Sequence, residues 1–381
     1  EVWCVQMMTP FQAPALLHFG PGAVSKIAEV VPTFEADKLL IVTDPGVVGC
    51  GVAARVLDVL AGIGVEGVVF DDVEPNPSIE TVERAADRYQ ETACEGIVVV
   101  GGGSPIDVAK GAGVLVSNPG PLSSYVGSGN VGVTLPPLLA VPTTVGTGSE
   151  VTMYAVITDR AQRKKVVIGS PLLVPGFAFL DPELVLTLQD YLVAATGMDA
   201  LTHAIESVIS TFATPFSDAM ALEAIRLIVT HLPAAVRSPE IESLASLLYA
   251  STMAGMAFSY ARTGLVHGMA HPLSCYYDVP HGLANALLLP HVLAFNLPTC
   301  EDQLARVAVA MGEEEKAQAA VDAVCRLSGQ VSIPDRLSEL GVTDVYFPQM
   351  AQDAFESGNA QVVNPRPPSF PEVMELYQQA L

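Results

Sequence analysis

Four histidines and one aspartate fall in three short apolar segments of a chain that has seven histidines in all. Asp199 and His203 are four residues apart, so both project from one face of a helix, and His267 and His271 repeat that spacing. His281 follows at the start of a further helical segment. Any one of these histidines alone is better interpreted as a core residue, but unpaired polar groups are costly in apolar surroundings. The aspartate and histidines together therefore predict a site for one divalent metal ion, Fe(II), Zn(II) or Mn(II).

Two glycine-rich segments are candidates for a nucleotide site. In the first, an apolar run enters three consecutive glycines at 101–103, after which Ser104 can cap a helix and Pro105 suits its first turn. Free backbone N–H groups at such a helix start can bind a pyrophosphate without basic side chains. The second segment, 142–150, also follows an apolar run and is rich in threonine and glycine. The triplet does not match G-x-G-x-x-G, and a plain strand-to-helix turn is the alternative interpretation.

Asp44 ends the apolar run 39–43 and is a candidate for cofactor choice. A carboxylate at this place can accept a hydrogen bond from a ribose 2′-OH and would repel a 2′-phosphate. Asp44 therefore predicts NAD rather than NADP. The alternative is that Asp44 is only a turn residue.

Two kinds of element must position these residues. Up to about residue 182, short apolar strands alternate with helical segments, which predicts a doubly wound, mostly parallel sheet. Beyond that point the pattern is helical only, so the sequence predicts an α/β dinucleotide-binding domain over 1–182 and an all-α metal-binding domain over 183–381. The predicted strands are 38–43, 65–70, 96–100 and 138–142. The predicted helices are 47–62, 79–92, 191–210, 215–231, 241–260, 267–276, 284–296, 302–311 and, after a loop at 362–371, 372–381.

Composition excludes some classes of function. The chain has 381 residues, half of them apolar, and 18 basic against 41 acidic side chains give a net charge of −23. Such a surface repels nucleic acid and anionic lipid, so neither is an expected partner. No signal peptide or membrane helix is visible, and we expect a cytoplasmic protein. No pair of cysteines has C-x-x-C spacing, which predicts reduced thiols. The cysteines are Cys4, Cys50, Cys94, Cys275, Cys300 and Cys325.

Five segments together resemble the iron-containing, or group III metal-dependent, alcohol dehydrogenase family over nearly the whole chain. They are GGGSPID (101–107), PTTVGTGSE (142–150), GMDALTHAIE (197–206), HGMAHPL (267–273) and PHGLANA (280–286). The resemblance implies that the metal ligands are Asp199, His203, His267 and His281, and that His271 lies close to the nicotinamide and the substrate. It implies cofactor contacts from Asp44, Asn76, Gly102, Gly103, Ser104, Asp107, Thr143, Thr144, Thr147 and Lys165.

The resemblance also implies the reaction, a reversible hydride transfer between a small primary alcohol and NAD that gives an aldehyde or ketone. The metal, Fe²⁺ or alternatively Zn²⁺ or Mn²⁺, would act as a Lewis acid, and His271 would relay the alcohol proton. A homodimer or higher homo-oligomer is expected. Ser274, Cys275 and Tyr154 depart from the common pattern and leave the substrate open. The alternatives are a zinc enzyme that resembles glycerol dehydrogenase or dehydroquinate synthase, with fewer protein ligands to the metal, and a non-catalytic metal- and nucleotide-binding sensor.

Overall fold

A computed structural model describes residues 16–381, so Cys4 and the first fifteen residues of the predicted α/β domain lie outside the described part. The strands are β1 (Leu16–Phe19), β2 (Lys38–Val42), β3 (Glu66–Phe70), β4 (Gly96–Gly101), β5 (Gly127–Ser128), β6 (Leu138–Pro142), β7 (Tyr154–Asp159), β8 (Lys164–Gly169) and β9 (Phe177–Leu180). The helices of the first half are α1 (Ile27–Val30), α2 (Pro45–Gly49), α3 (Val52–Gly62), α4 (Ile79–Glu91) and α5 (Gly103–Ser117). Those of the second half are α6 (Asp190–Ile209), α7 (Pro215–Arg237), α8 (Ile241–Ala261), α9 (Leu265–Tyr277), α10 (His281–Asn296), α11 (Glu301–Ala310), α12 (Ala317–Gln330), α13 (Phe347–Glu356) and α14 (Phe370–Ala380).

Six strands form one parallel sheet in the order β1-β9-β6-β4-β2-β3. Alternate residues of β2 enter two different cores: Leu39 and Ile41 pack with α1 and α3, whereas Leu40 and Val42 pack with α4 and α5. Helices therefore cover both faces, as continuous apolar strands require. This arrangement confirms the predicted doubly wound sheet.

A second, smaller sheet was not predicted. The hairpin β7–β8 is antiparallel, and the two-residue strand β5 joins β8 in parallel. Continuous apolar runs mark strands that are buried on both faces, whereas β8 begins with Lys164 and Lys165 and β7 is only half buried. The consequence for the site is that Lys165 is held on a strand rather than on a loop.

The predicted helix over 47–62 is wrong in one respect, because the structure has two helices there. Asp44 caps α2 by accepting a hydrogen bond from the Val47 N–H at 3.0 Å. Gly51 then takes a φ of 80° and starts α3 in a new direction. At the other end of the chain, the predicted loop over 362–371 begins inside a π-helical turn, Asn359–Val363, and α14 begins two residues earlier than predicted.

The second half is a helical unit with one large core centred on α6, whose residues from Val193 to Ile209 are nearly all buried. The last strand ends at Leu180 and α6 begins at Asp190. The domain limit at 182/183 lies in this connection and stays a prediction. Of the described helices, α7 alone is long and apolar enough to cross a membrane by length and composition, and it packs against α6, α8 and α11.

Candidate metal and nucleotide site

A cavity of about 910 Å³ lies between the carboxyl edge of the parallel sheet and the helical half. All the site residues that the sequence singled out line this one cavity, although they come from five different helices and strands and from the loops between others. They are Asp44, Asn76, Gly102, Gly103, Ser104, Asp107, Thr143, Thr144, Thr147, Lys165, Asp199, His203, His267, His271 and His281.

Asp199, His203, His267 and His281 form a compact cluster on the helical wall of the cavity. Asp199 and His203 lie on α6, His267 lies on α9, and His281 is the first residue of α10. One ligand atom from each lies within 4.8 Å of all the others. His271 is outside this cluster, with its ring centroid 5.5 Å from that of His281. Cys275 is also outside it. The helical spacing thus brings together the residues that the sequence grouped.

Glu206 orients one of these histidines. Its carboxylate is 1% exposed and accepts the Val266 N–H at Oε1, 2.7 Å away. The other oxygen, Oε2, lies 2.6 Å from Nδ1 of His267. A carboxylate that accepts the Nδ1 proton leaves the Nε2 lone pair free for a metal ion. Glu206 was not among the residues predicted from the sequence, although its i+3 spacing from His203 places it on the same helix face.

The chemistry of the cluster fits a cation. Asn285 Nδ2 lies 2.7 Å from Asp199 Oδ1 and 3.1 Å from Nε2 of both His267 and His281. An amide has two protons, so one amide nitrogen cannot satisfy three acceptors. His203 Nδ1 is also buried without a hydrogen-bond partner among the described residues. The cluster therefore has more hydrogen-bond acceptors than donors, and a bound divalent metal would satisfy the surplus acceptors.

Burial keeps the four histidines of the cavity in the neutral form that metal binding requires. Loss of hydration lowers the pKa of His203 to about 4 and that of His281 to about 3, and it holds the pKa of His267 and His271 well below the usual value. All four imidazoles are therefore neutral at pH 7 and keep a lone pair for a metal or a proton.

The nucleotide candidates meet at the start of α5. Gly102 is the N-cap, without a side-chain cap, so the predicted capping by Ser104 is wrong and Ser104 lies in the first turn. A Cβ at Gly102 would lie 2.8 Å from Thr144 Cγ2, and one at Gly103 would lie 2.9 Å from Thr147 Cγ2. The two loops are therefore in contact, and Thr144 Oγ1 is buried without a partner among the described residues. Uncapped N–H groups and a free hydroxyl suit a pyrophosphate.

Side chains from the small sheet and the first half complete this side of the cavity. Lys165 Nζ donates to Asn76 Oδ1 at 2.8 Å and to Thr158 Oγ1 at 2.9 Å. Asp107 accepts from Ser149 Oγ at 2.9 Å, and burial raises its pKa to about 6, against the effect of Lys110. Asp44 both caps α2 and lines the cavity, so its two interpretations are compatible.

Lys110 is a fully buried residue that was not among those predicted from the sequence. Its ammonium shares three N–H donors among five oxygens, the carbonyl oxygens of Ser149, Thr152 and Tyr154 at 2.7, 2.9 and 2.8 Å and the hydroxyls of Ser149 and Thr152 at 3.3 and 3.0 Å. It therefore ties α5 to the segment between the threonine-rich loop and β7. Its sequence signal is a lysine in the otherwise apolar stretch of α5.

The end of the cavity beyond the metal cluster is formed by α8. The Phe258 ring stacks on the His203 ring with centroids 4.2 Å apart. One turn later Arg262 has φ 65° and ψ 174°, a region that is almost confined to glycine and costs about 1–3 kcal/mol. Its guanidinium lies 4.6 Å from the centre of the Phe212 ring, a contact worth about 0.5–1 kcal/mol when exposed. Tyr154 and Thr263 line the cavity beside it.

Family comparisons match both halves of the chain. Residues 14–182 match the model described as iron-containing alcohol dehydrogenase, and residues 193–381 match the C-terminal model of the Fe-containing alcohol dehydrogenase family.

Curated relatives align over the full length. The 1,3-propanediol dehydrogenase of Citrobacter freundii is 42% identical, over 98% of this chain and 99% of the relative. The lactaldehyde reductase of Escherichia coli K12 is 38% identical, over 95% and 97%. The NAD-dependent methanol dehydrogenase of Bacillus methanolicus is 35% identical, over 98% and 100%. A crystal structure of 1,3-propanediol oxidoreductase superposes with a TM-score of 0.95 at 41% identity, over 98% of this chain and all of the other.

Proposed function

The chain belongs to the iron-containing alcohol dehydrogenase family and catalyses the reversible oxidation of an alcohol with NAD and a divalent metal; from this premise we propose its substrate class and the role of each site residue. The substrate is a small primary alcohol, and the product is the aldehyde. Asp199, His203, His267 and His281 hold the metal. The observation that carries this proposal is one cavity lined both by their clustered ligand atoms and by the uncapped start of α5.

Each bound group has a defined part in the reaction. When bound, the metal supplies Lewis-acid polarisation of the alcohol oxygen, and NAD accepts the hydride. The chain's own residues bind and orient. Gly102, Gly103 and Thr144 hold the pyrophosphate at the start of α5, and Asp44 accepts a hydrogen bond from the adenosine ribose.

The alcohol proton needs a separate acceptor. Oxidation removes a hydride from carbon and a proton from oxygen, and His271 is the imidazole of the cavity wall that lies outside the ligand cluster. Burial keeps His271 neutral by lowering its pKa, so its ring can take up the proton and pass it to water. We assign cofactor contacts to Asn76 and Lys165 as well. Ser104, Asp107, Thr143 and Thr147, which line the same cavity, complete the proposed cofactor site.

Metal analysis coupled to an alcohol panel tests the proposal. Protein purified without oxygen and reloaded with Fe²⁺, Zn²⁺ or Mn²⁺ should form NADH with short primary alcohols. His267→Ala should remove most of the bound metal and the turnover, while NAD affinity stays near that of the unchanged protein. His231→Ala, on α7, is the matched control and should keep both. Full metal content and normal turnover in His267→Ala would contradict the ligand assignment.

The assembly and location are further parts of the proposal. We expect a cytoplasmic homodimer or a higher homo-oligomer, because closed symmetric assemblies are the commonest state of enzymes of this size. Light scattering coupled to gel filtration measures the mass directly. A monomer at micromolar concentration would contradict the expected assembly and leave the catalytic proposal unaffected.

A further inference from the structure

Arg262 stands out in the cavity for its backbone and for its charge. Two cationic side chains line the described cavity, and the other one, Lys165, already donates to Asn76 and Thr158. None of the arginine ion pairs found among residues 16–381 includes Arg262. The Arg262 charge therefore has no carboxylate partner within the described chain.

The backbone of Arg262 is strained, although its side chain contacts two aromatic residues, Phe212 and Tyr154. Its φ of 65° and ψ of 174° suit glycine, whereas its side chain makes an exposed cation–π contact with Phe212 and a hydrogen bond with the Tyr154 hydroxyl. Both partners are neutral, so neither contact neutralises the charge of the guanidinium. Strain of this kind concentrates where a ligand or a reaction needs the side chain.

Arg262 lies one helical turn beyond Phe258, a residue that contacts the candidate metal cluster. Phe258, four residues earlier on α8, stacks on the candidate metal ligand His203, and Arg262 N–H donates to the Phe258 carbonyl oxygen at 2.7 Å. Four residues of helix span about 6 Å, the length of a short carbon chain. A substrate whose hydroxyl lies at the metal cluster would place its far end near Arg262.

We propose that Arg262 determines specificity by binding an anionic group, such as a carboxylate, at the far end of a short-chain alcohol or aldehyde. This inference rests on the proposed alcohol dehydrogenase activity and narrows its substrate class. An arginine offers a planar pair of N–H donors that matches a carboxylate. The opposite charge is also needed here, because the chain carries a net charge of −23 and Asp107 and Asp199 line the same cavity. A neutral hydroxyl could accept a hydrogen bond from the guanidinium, but a carboxylate gains a second hydrogen bond and the charge attraction as well.

The test compares two substrates that differ only in charge, γ-hydroxybutyrate and its neutral amide, with metal-loaded enzyme and NAD. The unchanged enzyme should prefer the acid by about tenfold in kcat/KM, and Arg262→Met should abolish that preference. Arg262→Gly should do the same and also raise the melting temperature, because glycine relieves the strain. A merely structural arginine would instead lower the melting temperature when it is removed.

Arg163→Gly is the matched control. Arg163 also has a positive φ, 52°, but it lies at the β7–β8 turn outside this cavity. Its replacement should leave the acid-to-amide ratio unchanged. If the unchanged enzyme oxidises the amide as well as the acid, or if Arg262→Met keeps the acid preference, the inference about Arg262 is wrong and the alcohol dehydrogenase proposal stands. If neither compound nor any short primary alcohol is oxidised, the proposed function itself fails.

Discussion

At the scale of single residues, the metal cluster depends on neighbours that have no ligand role of their own. Glu206 fixes one nitrogen of His267, and Asn285 touches three of the four candidate ligands. Buried groups like these set which atom faces the metal. Substitutions of Glu206 or Asn285 should therefore lower metal affinity, and turnover should fall as a consequence.

Glu206→Gln should weaken metal binding by about 10- to 100-fold. A glutamine amide that donates to Nδ1 of His267 would place the ring proton on Nε2 and remove the lone pair that the metal needs. Titration of metal-free protein with Zn²⁺ measures the affinity. Glu150→Gln is a matched control, since Glu150 is also buried but contacts Thr252 rather than a histidine. Equal affinities for the two variants would contradict the orienting role of Glu206.

His271→Ala should retain the metal and lose turnover, because His271 lies outside the ligand cluster and is proposed to accept the alcohol proton. The pH–rate profile for alcohol oxidation should also change, with more activity recovered at high pH where hydroxide replaces the imidazole as proton acceptor. Metal content and pH profile are both measured. Loss of metal equal to that of His267→Ala would make His271 a ligand instead.

Asp44→Gly should raise kcat/KM with NADP and lower it with NAD, because it removes a carboxylate that repels a 2′-phosphate. The lost cap of α2 should cost only a few tenths of a kcal/mol, since glycine is itself an acceptable N-cap. Asp71→Gly is the control, as Asp71 follows the neighbouring strand β3 and does not line the cavity. An unchanged ratio in Asp44→Gly would leave Asp44 as a helix cap alone.

At the scale of elements, the predictions that held came from strong periodicity. The buried strands β2, β4 and β6 and the helix α6 were predicted from their sequences because each has a long, uninterrupted pattern. The hairpin β7–β8 was missed, since its half-exposed strands mix lysine with valine and resemble a loop. Spacing on one helix brought Asp199 and His203 together, but spacing cannot reveal contacts between distant elements, such as that of Asn285 with Asp199.

Lys110→Met should destabilise the α/β half. Removing the ammonium takes away a donor that five buried oxygen atoms share, and a broken buried polar cluster typically costs about 3–5 kcal/mol. The melting temperature should fall by roughly 10 °C. The KM for NAD should rise because the threonine-rich loop loses its anchor. Lys26→Met, at an exposed lysine on the surface, is the control and should change neither. A stable variant with normal KM would show that the anchor is dispensable.

At the scale of the whole molecule, the buried imidazoles link folding to pH. Burial lowers the pKa of His203 to about 4, whereas its value in the unfolded chain is near 6.5. Between these values the unfolded chain binds the extra proton, so this histidine costs stability as the pH falls. Burial raises the pKa of Glu206 to about 7 and that of Asp107 to about 6, and these carboxyls act in the opposite sense.

A comparison of a His203 variant with the unchanged chain isolates the contribution of His203 to the pH dependence of stability. In metal-free protein, His203→Gln should gain stability relative to the unchanged chain by about 2 kcal/mol when the pH falls from about 7.5 to about 5. Urea unfolding at the two pH values measures the difference. His231→Gln should show a smaller change, because His231 lies on α7 away from the cluster. A difference that does not depend on pH would mean that His203 titrates normally in the folded state.

The position of β1 in the parallel sheet has a consequence for synthesis of the chain. Leu16 in β1 pairs with Phe177 in β9. The strand β1 can therefore pair only after β9, the last strand of the sheet, has been synthesised. Ribosomes add about 5–20 residues per second, and this delay is on the order of ten seconds. During that time β2, β3, β4 and β6 can already associate, while β6 presents an open edge where β9 will dock. The nascent chain is then at its most exposed to strand-to-strand association with other chains, and this is the stage at which a chaperone would be most useful.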